Sequence, residues 1–114
     1  HRSPHYPGTG LRSEANCFNY PLPAYAGDEM YLETLDRALE EVDLKGIEII
    51  GISAGFDAHR EDMMASLGLT SECYREIGKR TAKLGLPVFV TLEGGYIGRA
   101  VGMSIDQLIQ GLEG

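Results

Sequence analysis

Residues 47–53 read Ile-Glu-Ile-Ile-Gly-Ile-Ser (IEIIGIS), a β-branched and nearly unbroken apolar run. Such a run is too apolar for a strand with one wet face, and it fits a parallel strand covered on both faces. Upstream of it, the spacing predicts an amphipathic helix: Asp28 is a natural N-cap, Tyr31, Leu32, Leu35, Leu39 and Val42 share one face, and Gly46 stops the helix. Downstream, Thr70 is placed to cap a second helix, with Tyr74, Ile77 and Leu84 turned to the sheet and Gly85 closing it. Pro87–Leu92 (PVFVTL) reads as another buried strand, with proline tolerated at its first residue. Val101, Ile105, Leu108 and Leu112 then mark a third helix. Near the N-terminus, Asn16–Leu22 is expected to form a short strand ending at Pro21 and Pro23, after a Pro/Gly-rich loop over residues 1–15. The order strand, helix, strand, helix, strand, helix predicts an α/β fold with a parallel sheet of about three strands and three helices, in a single domain over residues 1–114.

Composition narrows the function classes. The 114 residues are 43% hydrophobic, enough for one modest core. A net charge of -7 offers no footprint for a nucleic-acid backbone. The longest apolar runs fall far short of the roughly 20 residues of a membrane span, and no basic amphipathic stretch suits a membrane surface. Cys17 and Cys73 belong to no paired spacing, so two reduced thiols in a cytoplasmic protein are expected. The chain opens at His1 without a methionine and is expected to continue upstream.

Parallel α/β sheets gather ligands beyond the carboxyl ends of their strands, which directs attention to two loops, 54–68 and 93–98. The first begins with Ala54-Gly-Phe-Asp57-Ala-His59 and carries Glu61 and Asp62 close behind. By itself one carboxylate with a histidine two residues on is a weak metal signal, and a solvated acidic turn is the simpler account. The second reads Leu92-Glu-Gly94-Gly95-Tyr96. Paired glycines directly after a buried strand imply positive φ or a close backbone approach. Tyr96 beside them is placed either to donate a hydrogen bond to a developing oxyanion or simply to pack. Gly94 and Gly95 could equally cradle a phosphate, although the spaced glycines of a dinucleotide site are absent. Tyr6, before the Pro7-Gly8 turn, is an aromatic that either lines a ligand channel or belongs to an ordinary turn.

Five segments taken together, HYPGTG, NYPLP, GDEMYL, SAGFDAHREDMMASLGLT and LEGGY, resemble in the same order the C-terminal part of the histone deacetylase and acetylpolyamine amidohydrolase family. The wording of SAGFDAH and LEGGY is closer to the bacterial, archaeal and class II-like members. The resemblance spans nearly the whole chain and implies the three-layer parallel fold of the arginase/deacetylase type. It also implies a zinc-dependent amidohydrolase acting on an acylated amine, either acetyl-lysine or an acetylpolyamine. Asp57 matches one of the zinc ligands, and Tyr96 matches the tyrosine that hydrogen-bonds the substrate carbonyl. Gly94 and Gly95 match the glycines before it, Tyr6 matches an aromatic wall of the acyl-lysine tunnel, and Asp62 falls on a recurrent acid of structural role.

The family's tandem histidine base and its Asp-x-His ligand pair have no counterpart here, so one of three protein ligands is expected and no turnover from the chain alone. A sheet cut from its neighbours would expose an apolar edge, which a compact fragment, a homo-oligomer or aggregation would each resolve differently. A small doubly wound binding module and a non-catalytic interaction domain stand as the alternatives.

Overall fold

The computed structural model describes all residues from His1 to Gly114. In chain order the elements are α1 (Asp28–Glu41), β1 (Ile50–Ala54), α2 (Ser71–Ala82), β2 (Val88–Leu92) and α3 (Gly98–Glu113). β1 and β2 pair in parallel, from Ile50 opposite Val88 to Ala54 opposite Leu92. The α/β class and all three helices follow the sequence expectation, but the sheet has two strands rather than three.

The missing strand is Asn16–Leu22. Pro21 and Pro23 have no N–H to give a ladder, and Leu22 is held only on the N-terminal residues, by its N–H donating to His1 O and its O accepting from Ser3 N–H, both at 2.7 Å. Glu14 and Cys17 close a tight turn on each other, and Asn19 ties the loop through Nδ2–H to Arg12 O at 2.9 Å. The segment is therefore a pinned loop.

The main core lies between β1 and the helix pair α2/α3. It is built from Ala54, Phe56, Leu69, Cys73, Tyr74 and Leu108, with Ile52, Ile77, Val101, Ile105 and Leu112 packed against it. The rings of Phe56 and Tyr74 meet at 5.0 Å between centroids. α2 and α3 approach closely where glycines face each other: a Cβ on Gly111 would lie 2.2 Å from Arg75 O. Thr70 caps α2 as the sequence predicts, its Oγ1 accepting from Cys73 N–H at 3.3 Å.

Four details differ from the sequence reading. Gly27, not Asp28, is the N-cap of α1, because the Asp28 carboxylate is engaged by Thr70, accepting from its N–H at 2.9 Å and its Oγ1–H at 2.6 Å. α1 ends at Glu41 and Gly46 serves the following turn instead. Only Tyr31 and Leu32 of the α1 face pack against the main core, and Val42 lies past the helix and is exposed. Leu84 likewise follows α2 rather than belonging to it. Besides the Asp28–Thr70 bonds, α1 is tied to α2 by the Arg80–Asp36 ion pair, Nε to Oδ1 at 2.7 Å.

The strands are not covered on both faces. β2 has no buried residue, and Phe89 and Leu92 are 52% and 62% exposed. A covering layer for that side is not supplied by these residues, which is the apolar exposure expected of a sheet without neighbours.

Candidate active site

The two loops singled out from the sequence emerge side by side. Ala54 and Leu92 are level in the sheet, and the chains stay paired beyond it: Glu93 N–H donates to Ala54 O at 2.9 Å and Phe56 N–H to Gly94 O at 2.7 Å. Asp57 and Tyr96 are thereby brought to the same end of the sheet.

The two glycines each meet one of the demands that such a pair implies. An added Cβ on Gly94 would sit 2.9 Å from Cγ and Oδ2 of Asp57, so only glycine lets the backbone pass this close to the carboxylate. Gly95 has φ +137°, and a Cβ there would strike Val101 Cγ2 at 2.7 Å. A phosphate cradle does not fit this loop, because its nearest neighbour is a carboxylate and its Tyr96 N–H is already donated to Asp62 Oδ2 at 2.8 Å.

Asp57 lines a cavity of about 450 Å³ whose walls include His1, Arg2, His5, Tyr6, Tyr31 and Gly55. Tyr6 is therefore brought to the same cavity as Asp57, although it stands 91% exposed at its mouth. Tyr96 does not line the cavity and is 63% exposed, with its backbone fixed and its phenol in solvent. A smaller cavity of about 220 Å³ lies behind, against α1, and shares His1, Asn19 and Tyr31 with the first.

The surroundings of Asp57 are built from side chains the sequence did not single out as supports. Tyr74 donates its OH to Gly55 O at 3.3 Å. Burial, reinforced by Tyr31 and then Asp57, pushes the Tyr74 phenol well above its ordinary value, so it stays a donor. His59, which a solvated acidic turn would leave exposed, is buried. Its Nδ1 faces Glu61 N–H at 3.1 Å and its Nε2 faces Ser71 Oγ at 3.1 Å. Since a backbone N–H only donates, Nδ1 is the acceptor and the ring proton sits on Nε2. His59 thus braces the loop against α2 and offers no lone pair to a metal.

Those side-chain bonds leave the Asp57 carboxylate unused by the chain and turned to the cavity. A carboxylate held by close backbone at a cavity wall suits one ligand of a divalent cation. No group of three His, Cys, Asp or Glu in the chain is close enough to hold a metal ion by itself, so Asp57 fits as one member of a larger ligand set.

Residues 1–112 match the family described as the histone deacetylase domain. Acetylpolyamine amidohydrolase 1 of Pseudomonas aeruginosa is 35% identical over 96 residues, which cover 84% of this chain and 28% of that protein. A probable deacetylase of Methanothermobacter thermautotrophicus is 40% identical over 91 residues, 78% of this chain and 27% of that one. Among solved structures, the HDA15 HD domain superposes with a TM-score of 0.83 at 30% identity, over 96% of this chain and 35% of that chain. The acetylpolyamine aminohydrolase from Burkholderia pseudomallei does so with a TM-score of 0.80 at 25% identity, over 93% and 33%. The chain spans about a third or less of the relatives it matches. The paired loops, the glycines fitted to Asp57 and these likenesses in sequence and backbone have one reading: the chain belongs to the histone deacetylase family, of which it carries one part of the α/β domain.

Proposed function

We propose that this chain is part of a zinc-dependent amidohydrolase that removes an acyl group, acetyl in the first instance, from an acylated amine such as acetyl-lysine or an acetylpolyamine. Asp57 is the metal ligand and Tyr96 the catalytic residue, with Tyr6, Gly94 and Gly95 shaping the substrate's approach. The observation that carries this reading is the pairing of the two loops beyond Ala54 and Leu92, with Gly94 against the Asp57 carboxylate.

When bound, zinc would polarise the amide carbonyl and lower the pKa of water. Asp57 contributes its negative charge to that site. Tyr96 donates its phenolic O–H to the oxygen that gains charge as the carbonyl carbon becomes tetrahedral, which is a large term once water is excluded. Tyr6 offers a ring face to the alkyl stem of the substrate. With one ligand and no histidine pair, the 114 residues alone are expected not to turn over. Cys17 and Cys73 belong to no paired spacing, and a cytoplasmic protein with both thiols reduced is our expectation.

The test uses a chain extended upstream to the length of the relatives. It should bind about one zinc, and Asp57→Asn should lose it. Tyr96→Phe should keep the metal and lose roughly 10²-fold or more in turnover. A Tyr96→Phe enzyme with unchanged turnover would remove the tyrosine from the reaction, and an extended, zinc-loaded chain that releases no acyl group would remove the deacylase reading.

A further inference from the structure

We infer that Asp62 is a positioning residue for Tyr96, because its buried carboxylate fastens the tyrosine's backbone to the loop that carries Asp57. The inference rests on the catalytic role proposed for Tyr96.

Asp62 is 2% exposed. Its Oδ2 accepts from Tyr96 N–H at 2.8 Å and its Oδ1 from Met64 N–H at 3.0 Å. Both oxygens are therefore spent on backbone donors, and none of the chain's ion pairs involves this residue. The Asp62 side is itself fixed, since Asp62 N–H donates to His59 O at 2.9 Å and the buried His59 ring is braced on Ser71.

The tyrosine needs such a fastening. Tyr96 lies beyond the end of β2 and before α3, its side chain is 63% exposed, and its phenol makes no hydrogen bond within the chain. Nothing but its backbone fixes where the phenol starts from. The two loops thus touch at two matched points: Asp57 meets Gly94, and Asp62 meets Tyr96. The acid five residues after Asp57 converts the position of the metal-ligand loop into the position of the phenol. Loss of one acceptor lets the Tyr96 peptide shift, and a displacement of about 1 Å at a reacting group costs on the order of 10²-fold.

The experiment is a double-mutant cycle in the upstream-extended, zinc-loaded enzyme, with Asp62→Asn, Tyr96→Phe and both together, assayed on an acetyl-lysine peptide. Asn keeps one acceptor but turns an NH₂ toward the other N–H. Asp62→Asn alone should lower kcat by roughly 10- to 100-fold with KM and zinc content little changed. In the Tyr96→Phe background the same substitution should cost less than about twofold, because the group it positions is already gone. An equal loss in both backgrounds, or a loss carried by KM, overturns the inference and leaves the deacylase reading standing. Undiminished turnover in Tyr96→Phe alone overturns the role given to Tyr96 and the inference with it, whereas an unsubstituted, zinc-loaded enzyme that releases no acetyl group overturns the deacylase reading. Amide hydrogen exchange on the unsubstituted enzyme gives a readout that needs no variant to fold: the Tyr96 N–H should be protected, and exchange at the rate of a free loop amide overturns the inference.

Discussion

Gly94→Ala separates metal binding from folding. The new Cβ would stand 2.9 Å from Asp57 Cγ and Oδ2 and 3.0 Å from Oδ1, where ordinary contact begins at 3.4 Å. The carboxylate must therefore retreat by about half an ångström. A metal site tolerates only about 0.2 Å in its ligand distances. Displacing the one ligand this chain supplies should weaken zinc by roughly 10- to 100-fold, or about 1.4–2.7 kcal/mol. The fold should barely notice, because the clash is with the end of a side chain and Gly94 has no positive φ. Removing glycine's freedom in the unfolded chain even favours the folded state, by about 0.4–1 kcal/mol. The assay is competition for zinc against a chromophoric chelator in the upstream-extended protein, beside the melting temperature of its metal-free form. Zinc affinity equal to that of the unsubstituted protein, with the melting temperature held, would refute the argument that Asp57 holds the metal against Gly94.

Gly95→Ala should show the opposite pattern, because φ +137° and the Val101 methyl at 2.7 Å both resist a side chain; urea unfolding of the extended protein should register a loss of about 1–3 kcal/mol. Gly111→Ala drives a methyl to 2.2 Å from Arg75 O at the crossing of α2 and α3, so thermal unfolding should show a comparable loss of about 1–3 kcal/mol. Burial, aided by the nearby Asp28, pushes the Cys73 thiol from its ordinary 9.0 up to about 12. A thiol reagent at pH 8 should therefore label exposed Cys17 promptly and Cys73 only on unfolding. Because the folded state holds that proton more tightly, the thiol's contribution to stability is complete below pH 9 and is lost as pH rises from 9 toward 12, which unfolding at stepped alkaline pH measures.

The helices were legible because their periodicity is local, and Thr70 caps α2 where the sequence places it, while α2 ends at Ala82 with Lys83 as its C-cap and Gly85 serves the turn beyond. The strands were legible as runs and not as edges. Ile47 and Ile49 are as apolar as the isoleucines after them, yet pairing starts at Ile50, which is the first with a partner, donating its N–H to Pro87 O. Asn16–Leu22 looked like a strand because alternation says nothing about whether a neighbour exists to receive it. Asp28 looked like a cap because its type and place are right, while its partner, Thr70, lies 42 residues away. In the site, Asp57 and Tyr96 came from the family resemblance, since a lone acid and a lone tyrosine carry little chemical signal. The latch from Asp62 to Tyr96 spans 34 residues and leaves no periodic trace. Its sequence cues are the family resemblance, which marks Asp62 as a recurrent acid, and an acid in a short loop whose neighbours Met63, Met64 and Leu67 are apolar.

The level register of Ala54 with Leu92 has a consequence for how such a protein tolerates change. Thirty-odd residues of crossover separate the two strands, yet the chemistry at their tips is spaced by one hydrogen-bonded rung. Lengthening the turn before β2, around Leu84 and Gly85, or recasting the wet side of α2, alters the route between the strands without altering that rung. Sliding β2 by a single residue would instead carry Tyr96 away from its partner acid and invert every side chain on the strand. Natural variation in length should therefore gather in the connection and spare the rung.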